Sequence, residues 1–100
     1  MMKHPVGPVL RMCDEVDFVI DAIRDDNPDR EVEVIDRGSY VRVQADGYLL
    51  VTEDSLKNHL GDGFEIGSLE GMLSSFAGRI KTASDQIEWT LVASPNAPTS

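Results

Sequence analysis

The sequence predicts a single α+β domain whose helices pack on a mostly antiparallel sheet. The chain has 100 residues, which suit one modest hydrophobic core and leave no room for a second domain. Apolar residues alternate in several short runs, as in half-buried strands, and elsewhere they recur at helical spacing. The predicted order is β-α-β-β-β-α-α-β-β over residues 6–92, between a flexible start at 1–5 and a disordered tail at 93–100.

The chain opens with a strand and a helix. Val6–Met12 is a short apolar run whose proline favours an edge strand or a bend. Asp14 can cap the helix that follows, and the ring of Pro28 requires this helix to end before it. One apolar face of the helix consists of Val16, Val19, Ile20 and Ile23.

Three strands come next. Alternation places Val32 and Val34 on one face of the first, Val41, Val43 and Ala45 on one face of the second, and Tyr40, Arg42 and Gln44 on its other face. Residues 36–39 form the turn between these two strands. Asp46 and Gly47 tolerate positive φ and are a tight hairpin signal before the run 48–51. The sequence therefore predicts a three-stranded antiparallel meander.

Two helices and two strands complete the chain. Thr52 can cap a helix of about two turns that Gly61 closes. Ser68 can cap a second helix that Gly78 ends in the left-handed conformation. The apolar face of this second helix is predicted to consist of Leu69, Met72, Leu73 and Phe76. The last strands are Arg79–Ala83 and 87–91, with Ile87, Trp89 and Leu91 on the buried face.

The first predicted helix ends with two acidic residues, which are unfavourable at that end of a helix. Asp25 and Asp26 lie in its final turn, where the helix dipole is negative, so each is unfavourable by about 0.3–1 kcal/mol when exposed. Arg24 offers one opposing charge. Two interpretations follow: the acidic end is a surface kept for a partner, or it is a solvated helix end.

Charge and composition indicate a protein partner. A formal net charge of -9 disfavours binding to nucleic acid or to an anionic membrane. No apolar run approaches the roughly 20 residues of a membrane span, and residues 1–5 are not followed by the apolar segment of a secretory signal. The lone Cys13 cannot form an internal disulfide. We expect a cytoplasmic protein that is monomeric when free and acts by binding another protein.

Candidate groups for catalysis or metal binding are few. His4 and His59 do not stand at ligand spacing from each other or from Cys13. Ser74 and Ser75 have no nearby base and no nucleophile turn. We therefore expect no cofactor, no metal and no catalytic residue. Cys13 is expected to be buried, and His59 to lie on the surface at the end of its helix.

A pattern of residues extends along most of the chain. It consists of Asn27-Pro28, Val32-x-Val34-x-Asp36-Arg37, Tyr40-x-x-Val43-x-Ala45-x-Gly47, Leu60-Gly61, Phe64 and Ser74-Ser75-Phe76-Ala77-Gly78-Arg79. The pattern resembles the small effector, or coupling, proteins of bacterial soluble diiron multicomponent monooxygenases. This resemblance implies a cofactor-free protein that docks on the diiron hydroxylase component and shifts helices that hold the iron ligands. Faster turnover, better coupling of electron delivery to oxygen activation and altered regioselectivity are the implied consequences.

By the same resemblance, three segments are expected at the hydroxylase interface. A serine-rich segment similar to residues 74–79 is implicated in hydroxylase contact and substrate access, and segments 6–8 and 26–28 match the aromatic and alkene branch. The expected interface residues are Val6, Gly7, Pro8, Asp26, Asn27, Pro28, Ser74, Ser75, Phe76, Ala77, Gly78 and Arg79. Tyr40 and Arg37 also recur in the family, although Asp36 and Arg37 suit an ion pair in their turn, and Phe76 equally suits the core.

The chain looks closer to the four-component toluene and alkene systems than to the methane-oxidising ones. Those systems use a Rieske ferredoxin, which is expected to compete with this protein for the hydroxylase. Short alkenes, dienes and simple aromatics all stay open as substrates of the system. The alternative function is a general acidic interaction domain, either an inhibitor or a nucleic-acid mimic. Its affinity is expected to fall steeply as salt rises.

Overall fold

The protein is described by a computed structural model that covers residues 4–91. The helices and strands of this range are β1 (Pro5–Arg11), α1 (Val16–Asp26), β2 (Glu33–Asp36), β3 (Tyr40–Asp46), β4 (Tyr48–Thr52), α2 (Glu53–Leu60), α3 (Ile66–Glu70), β5 (Leu73–Ala77), β6 (Arg79–Thr82) and β7 (Gln86–Thr90). The predicted α+β class is confirmed, with one strand more than expected. No helix within residues 4–91 is long and apolar enough to cross a membrane. The predicted tail at 93–100 and most of the predicted flexible start lie outside the described residues.

The strands form two antiparallel sheets, ordered β2-β3-β1-β5 and β4-β7-β6. The predicted meander is wrong, because β2 and β1 occupy both edges of β3 and leave none for β4. β4 instead pairs with β7, from Tyr48 opposite Thr90 to Thr52 opposite Gln86. Gly47, with φ of 80°, lies where the chain passes from one sheet to the other.

The core lies between α1 and the inward faces of both sheets. It contains the predicted face of α1, the three small apolar residues of β3 and the inward residues of β4 and β7. Trp89 is fully buried, as predicted, and truncating a buried tryptophan typically costs about 3–5 kcal/mol. Leu91 was predicted to share this buried face but is 45% exposed, because β7 ends at Thr90.

The segment predicted as the second half of a helix is a strand. α3 ends at Glu70, and residues 73–77 form β5. Gly67 and Gly71 would each cost about 1 kcal/mol inside a longer helix. Pairing with β1 gives the backbone of this segment its hydrogen-bond partners instead. Phe76 therefore does not join the core, and Gly78, with φ of 90°, turns the chain between two strands.

Of the three predicted helix caps, one is confirmed. Thr52 caps α2 through its hydroxyl, as predicted. Asp14 was the expected cap of α1, but the helix begins after Glu15, which makes no side-chain capping bond. Ser68 was the expected cap of α3, but it lies at the third helical position. There it completes a capping box with Glu65, the residue that precedes the helix.

Candidate functional site

The pairing of β1 with β5 brings together two of the three segments expected at an interface. Gly7 lies opposite Ala77, and Pro8 lies opposite Phe76. The side chains of segment 6–8 are buried, with Val6 only 1% exposed. Ser74, Ser75, Phe76 and Arg79 are exposed, whereas Ala77 and Gly78 are half-buried. Segment 6–8 therefore supports the strand that presents residues 74–77 to the surface.

The sheet β2-β3-β1-β5 has one face toward the core and one toward solvent. On the solvent side Val9 lies opposite Arg42 of β3 and opposite Ser75 of β5. Arg11, the next outward residue of β1, lies opposite Tyr40. We refer to this side as the outer sheet face. A groove on it is lined by Val9, Tyr40, Arg42, Ser74, Ser75 and Phe76.

A β-bulge shapes the edge of the outer sheet face. Val9 pairs with Ser75 while Leu10 pairs with Leu73, so Ser74 is an extra residue in β5. A bulge of this kind bends the strand and re-aims its side chains. Both serines are consequently exposed and line the same groove, which strict strand alternation would not allow.

The groove on the outer sheet face has a volume of about 240 Å³. Val9 is only 7% exposed although it does not belong to the core cluster, so neighbouring side chains on this face cover it. Tyr40 and Phe76 are 37% and 43% exposed. Exposed aromatic side chains beside a desolvated aliphatic residue are typical of the centre of a protein–protein contact.

The third expected segment, residues 26–28, lies away from β5 and packs against β4. Asn27 is 5% exposed, and its side-chain amide donates to the carbonyl oxygens of Ile23 and Leu50, each at 2.6 Å. The side-chain oxygen of Asn27 accepts from the Leu50 N–H at 3.1 Å. All these bonds are internal, and of the three residues only Pro28 is exposed.

The acidic end of α1 is held by α2. The Asp26 carboxylate accepts from the Thr52 N–H at 2.7 Å and from the Ser55 hydroxyl at 2.7 Å, at the start of α2. Asp25 contacts His59, in the last turn of α2, with 2.6 Å between Oδ2 and Nε2. These contacts offset the unfavourable dipole interaction, and they explain the rule-breaking aspartates without a partner.

Two smaller expectations are contradicted by the structure. Cys13 is exposed instead of buried, because it lies in the turn between β1 and α1. Asp36 accepts a hydrogen bond from the Gly38 N–H at 2.8 Å, and within residues 4–91 it forms no ion pair with Arg37. The Asp36 side chain therefore closes the turn by binding a backbone N–H and not the Arg37 side chain. Across the described part of the chain, His, Cys, Asp and Glu side chains form no group of three that is placed to hold a metal ion.

Charges divide unevenly over the molecule. Residues 14–29, which include α1, contain seven acidic side chains and one basic one, Arg24. The outer sheet face instead carries Arg42 at its centre, with Arg11 beside it. The acidic residues on this face are Glu33 of β2 and Asp46 at the end of β3, and Glu33 accepts a hydrogen bond from Gln44 at 2.6 Å.

Sequence reasoning missed Val9 and Arg42 as site residues. The alternation of β3 already placed Arg42 on the same face as Tyr40, away from Val41 and Val43. The local pattern could not identify the strands that lie beside Arg42. β1 is about thirty residues earlier in the chain, and β5 is about thirty residues later.

Comparison with known proteins gives a consistent set of relatives. A model of the MmoB/DmpM family matches residues 4–90. Over 89 residues the chain is 42% identical to the effector subunit of an alkene monooxygenase system from Xanthobacter autotrophicus (strain ATCC BAA-1158 / Py2), covering 89% of this chain and 88% of that protein.

Solved structures share the fold. A chain of a phenol hydroxylase–regulatory protein complex superposes with a TM-score of 0.74 at 22% identity, covering 87% of this chain and 98% of the other. The regulatory protein B of soluble methane monooxygenase superposes with a TM-score of 0.64 at 28% identity, covering 86% of this chain and 64% of the other.

Proposed function

The chain belongs to the MmoB/DmpM family of monooxygenase effector and regulatory subunits, and on that premise we propose that it docks on a diiron hydroxylase and adjusts its active site. The likeness to the Xanthobacter effector subunit, over nearly the whole chain, carries this proposal. The solved complex of a phenol hydroxylase with its regulatory protein supports a hydroxylase as the partner.

The outer sheet face is the proposed centre of docking. Its groove combines an apolar floor, two exposed aromatic rings and two serine hydroxyls, which suits a contact that excludes water and still fixes an orientation. The exposed Arg79 extends this contact along the chain from β5. Segment 6–8 supports it from β1, and Pro28 is the exposed residue of the third expected segment, 26–28.

Binding free energy is the means by which such a subunit regulates. A ligand shifts a conformational equilibrium only as far as it binds one state more tightly than the other. A hundredfold shift in favour of the active hydroxylase needs about 2.7 kcal/mol of differential affinity. A single well-packed aromatic contact that exists only in the active state contributes a large part of this amount.

Substrate oxidation is carried out by the other components of the monooxygenase system. This chain contributes contacts that reposition helices of the hydroxylase, and the expected results are faster turnover and tighter coupling of electron delivery to oxygen activation. A Rieske ferredoxin that delivers electrons to the same hydroxylase is expected to compete for its surface. We expect this assembly to work in the cytoplasm, with the effector entering it as a monomer.

Titration of this protein into its hydroxylase tests the proposal. The assay measures oxidation of a short alkene first, because the curated relative serves an alkene monooxygenase, and a simple aromatic second. The electron-transfer proteins are present throughout, and product formed per NADH consumed reports coupling. We expect stimulation that saturates near one effector per active site. Unchanged rate, coupling and product distribution across the titration would contradict the proposal and favour a general acidic binder.

A further inference from the structure

Arg42 occupies an unusual position at the centre of the outer sheet face. It is half-buried and lies between Val9 of β1 and Ile35 of β2 in the register of the sheet. Within residues 4–91 its guanidinium forms neither a hydrogen bond nor an ion pair, since the described ion pairs join Lys57 to Glu53 and His59 to Asp25. Glu33, on the same face, is bonded to Gln44.

A guanidinium in this position constrains whatever covers it. It has five N–H donors in a fixed planar fork and cannot be deprotonated. When a partner excludes water from the groove, donors that lack an acceptor are costly, and a carboxylate satisfies two of them at once. The apolar neighbours Val9 and Phe76 strengthen such a pair, because they lower the local dielectric.

The size of the groove restricts the occupant further. Its volume of about 240 Å³ lies below the roughly 300–1,000 Å³ typical of small-molecule sites. The groove therefore suits a side chain or two from a partner surface. The hydroxyls of Ser74 and Ser75 at its edge are additional donors for a carboxylate oxygen.

We propose that the groove receives a glutamate or aspartate side chain of the hydroxylase, with its carboxylate on Arg42 and an apolar neighbour packed between Tyr40 and Phe76. This inference rests on the proposed docking function and names the chemistry that is recognised there. It also gives a role to the uneven charge of the molecule. The acidic helix α1 would be repelled by such a surface, whereas the outer sheet face is attracted to it, so one orientation of docking is favoured.

The test compares three variants of the full chain. Arg42→Met keeps an unbranched apolar side chain opposite Val9 and removes every side-chain donor. Arg42→Lys keeps the charge and loses the bidentate fork. Arg24→Met is the matched control, because it removes one arginine from α1, outside the outer sheet face. Each variant is titrated into the hydroxylase, and both the dissociation constant and the maximal stimulated rate are measured.

We expect Arg42→Met to raise the dissociation constant at least about tenfold, Arg42→Lys to raise it by less, and Arg24→Met to leave it within about twofold. At saturating concentrations of the variant, Arg42→Met is expected to reach the maximal stimulated rate of the wild type. Its midpoint of urea unfolding is also expected to match that of the wild type. The difference between Arg42→Met and the wild type is expected to shrink as salt rises.

Each other outcome has a defined meaning. If Arg42→Met binds like the wild type, the carboxylate contact is refuted while the docking function stands. If Arg24→Met loses as much affinity as Arg42→Met, general charge and not the groove decides binding, and the inference is again refuted. If the wild type neither binds nor stimulates the hydroxylase, the proposed function and this inference are both overturned.

Discussion

The side-chain amide of Asn27 pairs with both backbone groups of Leu50, as a neighbouring strand would. It donates to the Leu50 carbonyl oxygen at 2.6 Å and accepts from the Leu50 N–H at 3.1 Å. β4 is an edge strand of its sheet, with β7 on its other side. One buried amide therefore satisfies both backbone groups of Leu50 on this edge and ties the end of α1 to it.

Replacing Asn27 by Ala is expected to destabilise the fold by about 2–3 kcal/mol, because two backbone groups of Leu50 and the Ile23 carbonyl lose their partner. Urea unfolding followed by circular dichroism measures the change. Asn58→Ala is the control, since Asn58 is an exposed asparagine on α2. A loss below about 1 kcal/mol for Asn27→Ala would show that water replaces the amide without cost.

Gly78 and Gly38 allow backbone strain to be separated from crowding. Their φ values are 90° and 88°, so an added Cβ is similarly strained at both. At Gly38 the added Cβ meets nothing within 4 Å, whereas at Gly78 it meets the Thr90 carbonyl oxygen and lies 2.6 Å from Val6 Cγ1. We expect Gly78→Ala to destabilise by about 1–3 kcal/mol more than Gly38→Ala in thermal or urea unfolding. Equal losses would contradict the close approach of β5, β7 and β1 at this point.

Tyr48 makes the free energy of unfolding depend on pH in the alkaline range. Burial, followed by the hydrogen bond from its hydroxyl to Glu88 at 2.7 Å, raises the pKa of Tyr48 from 10.0 to about 12. The folded state thus holds the phenol proton more tightly than the unfolded state. The resulting stabilisation is complete below pH 10.0 and is lost as pH rises to about 12. Free energies of unfolding measured across this range should fall less for Tyr48→Phe than for the wild type. Parallel curves would contradict the shift.

Phe76 and Phe18 form a matched pair for the docking surface. Both are exposed, at 43% and 49%, but Phe76 lines the groove and Phe18 lies on α1. Truncation of Phe76 to Ala is expected to weaken hydroxylase binding by about 1–3 kcal/mol, or roughly five- to 150-fold. Phe18→Ala is expected to bind like the wild type. Isothermal titration calorimetry with the hydroxylase measures both, and unfolding midpoints check that neither variant is misfolded. Equal losses would place the contact elsewhere.

The sequence pattern correctly predicted those features that depend on interactions between residues close together in the chain. The apolar spacing of α1 and the hydroxyl of Thr52 each act within a turn or two of their own position, so both predictions are confirmed. Family resemblance pointed to segments 6–8 and 74–79, which the structure brings together through β1 and β5. The helix predicted over the first part of segment 74–79 is a strand in the structure, and its place at an interface stays a prediction.

The errors arise where distant segments compete for the same backbone groups. Residues 69–76 have helical spacing and also suit a strand, and the free edge of β1 decides between them. Likewise β4 cannot pair with β3, since β1 and β2 take both edges. The aspartates at the end of α1 looked available for a partner because the position of α2, which holds both of them, cannot be derived from sequence spacing.

Hydroxyl-radical footprinting of the protein with and without its hydroxylase shows which of its surfaces the hydroxylase covers. Tyr40, Phe76 and Phe18 are all exposed aromatic side chains that react in the free protein, and mass spectrometry reports each one separately. If the outer sheet face is the docking surface, Tyr40 and Phe76 become protected in the complex while Phe18 reacts as before. Protection of Phe18 with unchanged oxidation of Tyr40 and Phe76 would show that the protein docks through its acidic helix, and would contradict the account.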